Sequence, residues 1–386
     1  MDGNSLFFAT FLIFTGAALF ATAAMFARQA LPLAYILLGV VAGPWGLGLV
    51  PSPETISDIA QIGIVFLLFL LGLNLKPQDL LHMFGEASLV TLASSTVFAL
   101  IGLAVGLLFG FSMVEALVIG AAMMFSSTII GLKLLPTTML HHQHIGEIVI
   151  SILLLQDMIA ILILMLVQGG SLPLGELVLT VLGLPLLGAV AYFGDRYVLF
   201  PLIARFDTIQ EYVFLVAIGW CLGLAELAGL FGLSHEIGAF IAGVAMATSP
   251  IALFIADSLR PLRDFFLVMF FFSLGAGFAL PAIGIVFWPA LLLAVLSLAV
   301  KPAIFRLLLV RAGETERRSH EVGVRLAQIS EFSLLIALAA LHAGVIAERA
   351  SYLIQLAVLL SFALSSFYVV RKYPTPIAVN DSLRRD

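Results

Sequence analysis

The sequence predicts an all-α protein that crosses a membrane many times, with thirteen spanning helices arranged as two inverted six-helix repeats. Three observations carry this prediction: the composition, the distribution of positive charge and a repeat of short motifs. Of the 386 residues, 62% are hydrophobic and 11% are charged, and the mean hydropathy is +1.17. Soluble domains carry about 25% charged residues, so the composition excludes the soluble class. The single cysteine, Cys221, excludes an internal disulfide and a cysteine metal site.

The spans follow from the length of the apolar segments. Crossing a hydrocarbon core takes about 20 apolar residues. With proline, glycine and charged clusters taken as boundaries, the predicted spans are 5–27, 32–50, 55–75, 85–110, 114–135, 144–168, 172–200, 208–230, 234–248, 261–280, 284–310, 318–343 and 350–370. The chain opens MDGNS, without the positive residues of a signal peptide, so the first span is expected to be retained.

Lysine and arginine fall on one side of this arrangement. The loops after even-numbered spans contain only Arg349. The loops after odd-numbered spans, the span ends that border them and the tail contain Arg28, Lys76, Lys133, Arg196, Arg205, Arg260, Arg263, Arg311, Arg317, Arg318, Arg371, Lys372, Arg384 and Arg385. By the positive-inside rule, this alternation predicts an external N-terminus and a cytoplasmic C-terminus.

Short motifs recur in the two halves at a nearly constant offset. Gly39 in YILLGVVAG matches Gly243 in FIAGVAMAT at 204 residues, and Gly72 in FLLGLNL matches Gly275 in FSLGAGF at 203 residues. FSSTII pairs more loosely with ISEFSL, again at 204 residues. The matched spans are an odd number of helices apart, so the second copy crosses the membrane in the opposite direction. Inverted repeats with a binding site near the midplane are typical of secondary transporters.

Two neighbouring polar residues, Gln156 and Asp157, lie in the middle of the apolar segment SILLLQDMIAILILM. A charge at the bilayer centre costs about 2.5–3.5 kcal/mol even on a lenient scale, so a functional site is the default reading. Burial favours the neutral form of a carboxylate, and Asp157 is therefore expected to hold either a proton or a cation. A structural pairing with lysine is its alternative. Gln156 offers a neutral oxygen ligand for a monovalent cation, with an interhelical hydrogen bond as the alternative.

The stretch FSSTII places three hydroxyl groups near mid-depth in the fifth span: Ser126, Ser127 and Thr128. Hydroxyls in membrane helices often bond back to their own helix. The alternative is a break in the helix, which frees carbonyl groups to ligate an ion opposite Asp157. Both readings stay open from the sequence.

The matching stretch in the twelfth span, RLAQISEF, is still more polar. Gln328, Ser330 and Glu331 are hard to bury on an intact helix, so a second break is expected there. Glu331 is expected beside the positive end of one half-helix, whose dipole it compensates. Lys301, in the preceding span, either reaches the cytoplasmic edge or compensates the other broken helix or Asp157.

These motifs resemble those of a known family. LLGVVAGPWGLGLV, IAQIGIVFLLFLLGLNLKP, FSSTIIGLKLL, LLLQDMIAIL, GAFIAGVAMA and LAQISEFSLL spread over about residues 30–340. They are similar to motifs of the monovalent cation/proton antiporters of the CPA2 branch, most closely the Kef-type potassium/proton antiporters. The Gln-Asp pair is the most specific of them, because sodium-type relatives carry Asp-Asp at this place.

The resemblance implies an NhaA-like antiporter fold and a potassium ion bound at Asp157, Gln156 and Thr128. It implies that the helix breaks are supported by the other polar residues near mid-depth: Ser126, Ser127, Thr128, Gln328, Ser330, Glu331 and Lys301. No cofactor is expected besides the transported potassium ion and proton.

The resemblance also implies how the chain is organised. Residues 1–76 and 207–281 would form a scaffold that dimerises, and residues 77–168 and 282–370 a mobile core. Residues 169–206 would be a linker and 371–386 a cytoplasmic tail. A homodimer in the bacterial cytoplasmic membrane is expected. Kef-type efflux systems continue into a cytoplasmic nucleotide-binding regulatory domain with glutathione-linked control, and such a domain or subunit would lie outside this chain.

With one exchanged-ion carboxylate, the expected function is one-for-one, electroneutral potassium/proton exchange by alternating access. A sodium/proton antiporter of the same fold and a potassium channel are the alternatives, and a non-transporting scaffold is a third. A channel would pass current without coupling to protons, and a scaffold would leave Asp157 and Glu331 dispensable. No enzyme is expected, because the sequence has no H-E-x-x-H motif and no paired intramembrane aspartates.

Overall fold

The structure is a computed structural model that describes residues 3–27, 29–50, 54–73, 86–128, 131, 144–169, 174–206, 209–231, 233–249 and 252–373. Every regular element in these ranges is helical, which confirms the predicted all-α class. The helices are α1 (Gly3–Phe26), α2 (Leu31–Ala42), α3 (Glu54–Leu73), α4 (Glu86–Leu108), α5 (Met113–Met123), α6 (His144–Gly169), α7 (Leu174–Gly194), α8 (Phe200–Phe206), α9 (Gln210–Leu230), α10 (His235–Met246), α11 (Ala252–Ala276), α12 (Ile283–Arg311), α13 (Glu316–Arg325), α14 (Glu331–His342) and α15 (Glu348–Lys372).

Several of these helices have the length and composition of membrane spans. Within the described residues, seven helical segments are long and apolar enough to cross a membrane. Five shorter apolar segments accompany them, among them α2, α5, α10 and α14. The chain is therefore a multi-pass membrane protein, and the count of thirteen spans stays a prediction.

Two helices run further than the sequence predicted. A π-helical turn, Asp195–Leu199, joins α7 to α8. The continuous helical segment therefore reaches Phe206, whereas the predicted span ends at residue 200. α11 begins at Ala252 and passes through Pro261, which is the predicted start of the tenth span. Proline removes one backbone donor and bends a helix, but the remaining bonds and the packing of a long helix can outweigh that loss.

The helices pack in two groups. α2 and α3 pack on α10 and α11, whereas α4, α5 and α6 pack with α12, α13, α14 and α15. In the first group the backbones come very close, because α2 crosses α11 at Gly39 and Gly275, and α3 crosses α10 at Gly72 and Gly243. A side chain at any of these glycines would overlap backbone atoms of the facing helix. Small residues allow such close crossings in membranes, where helix association depends on tight packing.

Candidate ion-binding site

The first element of the site is an interruption of the helix that begins with α5. The helix ends at Met123, and Phe125, Ser126 and Ser127 have a non-helical backbone before Thr128. Phe125 and the two serines are fully buried. The structure therefore has a break, the second of the two readings that the sequence left open for this stretch.

The second element lies between α13 and α14, where the sequence predicts the other break. The helix ends at Arg325, and residues 326–330 are non-helical. Ser330 caps α14, because its hydroxyl accepts a hydrogen bond from the Phe332 amide at 3.1 Å. Glu331 is buried in the first turn of α14, where a negative charge is favoured by the helix dipole.

The two breaks contact each other across the core. The Ser126 hydroxyl donates to the Leu326 carbonyl at 2.7 Å, and the side-chain amide of Gln328 donates to the Ser127 carbonyl at 3.4 Å. Backbone groups without helical partners are costly in an apolar interior unless other groups bind them. Each break thus supplies hydrogen bonds that the other one needs.

Lys301 of α12 lies between the breaks and is fully buried. Its ammonium group donates to the carbonyl of Phe125 at 2.6 Å and to that of Gln328 at 3.2 Å, one in each break. The ammonium nitrogen also lies 5.2 Å from the centroid of the Phe98 ring, in the range of a cation–π contact. The Lys301 side chain therefore lies at the helix breaks inside the protein and does not reach the cytoplasmic edge.

Asp157 lies on α6, opposite the first break, and is 1% exposed. Its carboxylate accepts hydrogen bonds from the Thr128 hydroxyl, with 3.2 Å to Oδ2 and 3.4 Å to Oδ1. Glu331 is close enough for the two carboxylates to interact electrostatically. Carboxylate and hydroxyl oxygens are hard ligands, so this pair can hold either a proton or an alkali cation.

Gln156, the neighbour of Asp157 on α6, is fully buried and faces the first break. Its Oε1 atom accepts from the Ser126 amide at 2.9 Å, and its Nε2 atom donates to the Met124 carbonyl at 3.1 Å. Both polar atoms of the Gln156 side chain thus bind backbone groups of the break.

Sequence reasoning missed two serines of α15 that support the second break. The Ser361 hydroxyl accepts from the Ile329 amide at 3.1 Å, and the Ser365 hydroxyl donates to Oε1 of Gln328 at 3.1 Å. Their spacing of four residues places both on one face of α15. That spacing was the available signal, but serine is common in membrane helices and rarely indicates a site by itself.

Two more hydroxyls bind carbonyl groups beside the breaks. Ser297 of α12 donates to the Ala327 carbonyl, and Ser333 of α14 donates to the Ala122 carbonyl, both at 2.5 Å. Among the residues that the structure describes, no group of three His, Cys, Asp or Glu side chains is placed to hold a metal ion. The site is therefore built from hydroxyls, amides and single charges.

Comparisons with known proteins identify the family and the fold of the chain. The family description "Sodium/hydrogen exchanger, transmembrane" matches residues 10–371. The iron transporter MagA of Paramagnetospirillum magneticum is 30% identical over 355 residues, which are 89% of this chain and 80% of MagA. The glutathione-regulated potassium-efflux protein KefC of Salmonella heidelberg is 30% identical over 385 residues, which are 96% of this chain. The chain spans only 61% of the length of that KefC protein.

A solved structure has the same fold. The sodium proton antiporter MjNhaP1 from Methanocaldococcus jannaschii at pH 8 superposes with a TM-score of 0.68, covering 93% of this chain and 94% of its own. The sequence identity is 17%, so this likeness shows the fold alone. Taken with the family match and the KefC relatives, it shows that the chain belongs to the sodium/hydrogen exchanger family, in the CPA2 branch of cation/proton antiporters.

Proposed function

We propose that this protein exchanges potassium for protons across a membrane, one for one and electroneutrally. The observation that carries the proposal is the buried Asp157 carboxylate in contact with the Thr128 hydroxyl, where two helix breaks cross. The carboxylate is neutral when it holds a proton, and also when its charge is matched by a monovalent cation. It is stable in the core in either state, but as a bare anion it is costly there. Proton and cation therefore replace each other.

The two breaks make this exchange electrostatically feasible. The carbonyl groups at the end of α5 carry partial negative charge, which the Lys301 ammonium group compensates. The amide end of α14 carries partial positive charge, next to Glu331. With both helix ends compensated, the remaining influences on the charge of Asp157 are its own proton or cation and the neighbouring Glu331 carboxylate.

The movement that we propose is an elevator-like alternating access. What supports it is the packing in two groups, with α2, α3, α10 and α11 as scaffold and α4–α6 with α12–α15 as the transporting core. We propose this division for the whole chain, with scaffold segments at residues 1–76 and 207–281 and core segments at 77–168 and 282–370. We further propose a homodimer in the bacterial cytoplasmic membrane, with the N-terminus outside.

An inverted repeat underlies this proposal, and the glycine crossings support it. The offset that matches Gly39 to Gly243 also matches Gly72 to Gly275 within one residue. Applied to the crossing of Gly39 with Gly275, it produces the crossing of Gly243 with Gly72. A two-fold relation between the halves requires this exchange of contacts.

Potassium is favoured over sodium by the Gln-Asp pair, where sodium-type relatives carry Asp-Asp, and by the KefC relatives, whose name states potassium efflux. Sodium is the second candidate, since the MjNhaP1 neighbour is named a sodium proton antiporter. An iron cargo, as in the name of MagA, is less favoured, because protein sites for iron commonly include histidine or cysteine, which the described residues of this site do not supply.

The substitution Asp157→Asn tests the proposal. It keeps the size of the side chain but removes the group that exchanges a proton for a cation. We expect cation-dependent proton movement in proteoliposomes to fall to the level of empty vesicles. Exchange that survives this substitution would show that another group carries the ion.

A further inference from the structure

The Gln156 side chain, expected from the sequence to be an ion ligand, is used differently in the structure. Its Oε1 accepts from the Ser126 amide and its Nε2 donates to the Met124 carbonyl, at 2.9 Å and 3.1 Å. One side-chain amide thus binds a donor and an acceptor of the same break, two residues apart. It takes the place of the peptide groups that an intact helix would provide.

Two more carbonyl groups of this break are bound as well. Phe125 is bound by the Lys301 ammonium at 2.6 Å, and Ser127 by the Gln328 amide at 3.4 Å and by the Gly131 amide at 2.9 Å. Together with Met124, three carbonyls of the break thus have hydrogen-bond partners. A cation that took one of them as a ligand would compete with a hydrogen bond that supports the break.

The two hydrogen bonds at position 156 need a side chain that both accepts and donates. A carboxylate only accepts hydrogen bonds and an ammonium group only donates them, whereas the amide of glutamine does both. Glutamine therefore fits the backbone of this break, whereas an ionised aspartate or glutamate would leave the Met124 carbonyl without its donor. This reason for the residue type is separate from any preference for one cation.

We infer that Gln156 is a positioning residue, which clamps the first break and thereby holds the Thr128 hydroxyl against Asp157. Thr128 follows Ser126 by two residues, so the anchoring of the Ser126 amide fixes where the Thr128 hydroxyl lies. The cation is then held by the oxygens of Asp157 and Thr128, not by Gln156. The inference rests on the proposed exchange at Asp157 and deepens it.

The clamp has a consequence for selectivity that differs from that of a ligand. A ligand contacts the ion directly, so its loss changes the ratio between the apparent KM values for potassium and sodium. Loss of a clamp misplaces the shared hydroxyl for every cation, so both KM values rise together and their ratio stays near that of the unaltered protein.

The experiment compares Gln156→Glu with Gln156→Met in proteoliposomes, with an internal pH dye and an alkaline external medium. Glutamate keeps the acceptor for the Ser126 amide but turns a carboxylate oxygen toward the Met124 carbonyl. If Gln156 is a clamp, the KM for potassium rises by about tenfold. The ratio of the KM values for potassium and sodium then stays within about twofold of that of the unaltered protein. A ligand role predicts the opposite, a lower KM, since a second carboxylate attracts the cation more strongly.

Gln156→Met removes both hydrogen bonds at nearly constant volume, and Gln355→Met is its matched control. Gln355 is another buried glutamine, bound to Ser351 at 3.0 Å on α15, away from the breaks. The clamp predicts a raised KM for both ions in the Gln156 variant and an unaltered KM in the control. If Gln156→Met does not assemble, the direction of the change in Gln156→Glu decides alone.

The inference is overturned if Gln156→Glu lowers the KM for potassium, leaves it unchanged, or shifts the ratio of the KM values for potassium and sodium by more than about twofold. Each of these results leaves the proposed exchange standing, because the unaltered protein still exchanges ions. Failure of the unaltered protein to move protons with either cation would instead refute the proposed function.

Discussion

Replacement of Lys301 by methionine tests whether the two breaks depend on one buried charge. Methionine fills a similar volume but cannot donate a hydrogen bond to the carbonyls of Phe125 and Gln328, which the ammonium group binds at 2.6 Å and 3.2 Å. A buried carbonyl that loses its partner costs about 1–3 kcal/mol, so the two together cost about 2–6 kcal/mol.

Part of this cost is offset, because removal of a buried ammonium group also removes the penalty for taking it out of water. We therefore expect a net loss of about 2–4 kcal/mol in the free energy of unfolding. We also expect loss of exchange, since the partial negative charge at the end of α5 is then left uncompensated at the break that lies opposite Asp157.

The assay is thermal unfolding of the detergent-solubilised protein, together with proton movement in proteoliposomes. Lys372→Met is the matched control: its ammonium group is exposed at the end of α15 and bound to the Tyr368 hydroxyl at 2.7 Å. Surface changes of this kind stay within about 0.5 kcal/mol. Equal melting temperatures for Lys301→Met and the control would refute the stabilising role, and full exchange by Lys301→Met would refute the electrostatic one.

Two further changes test the packing, one in the scaffold and one beside the second break. Gly39→Ala should lower the melting temperature by an amount equivalent to about 1–3 kcal/mol, because the added methyl group overlaps backbone atoms of Phe272 on α11. The control Gly223→Ala should leave the melting temperature unchanged, because Gly223 on α9 has open space around it. An unchanged melting temperature for Gly39→Ala would show that α2 and α11 do not cross as closely as described. Ser365→Ala should lower the free energy of unfolding by about 1 kcal/mol, because it removes the hydrogen bond to Gln328, and it should raise the KM for the cation. An unchanged KM would mean that α15 does not position the second break.

The class of fold and the place of the site follow from the sequence for simple physical reasons. Burying Asp157 in an apolar span is costly, so the residue type at this position is enough to indicate a function. The polar run around Gln328 is incompatible with an intact buried helix, and the break between α13 and α14 lies there. The expected break near Ser126 is present as well, although the sequence left two readings open.

The partners within the site could not be predicted, because they depend on how helices distant in the chain cross. The bond between Ser126 and Leu326 joins residues 200 positions apart, and the one between Lys301 and Phe125 joins residues 176 apart. Whether Gln156 faces an ion or a backbone amide depends on the path of the broken segment. The passage of α11 through Pro261 was missed for a related reason, since packing along a long helix overrides a local signal.

Proton movement in proteoliposomes decides whether Asp157 exchanges one potassium ion for one proton. Vesicles with a pH dye inside receive external potassium, then sodium, with the membrane potential clamped at zero and then released. We expect a potassium-driven rise of the internal pH that is the same at zero and at free membrane potential and is absent with Asp157→Asn. A response that follows the membrane potential, or that persists in Asp157→Asn, would refute one-for-one exchange at Asp157.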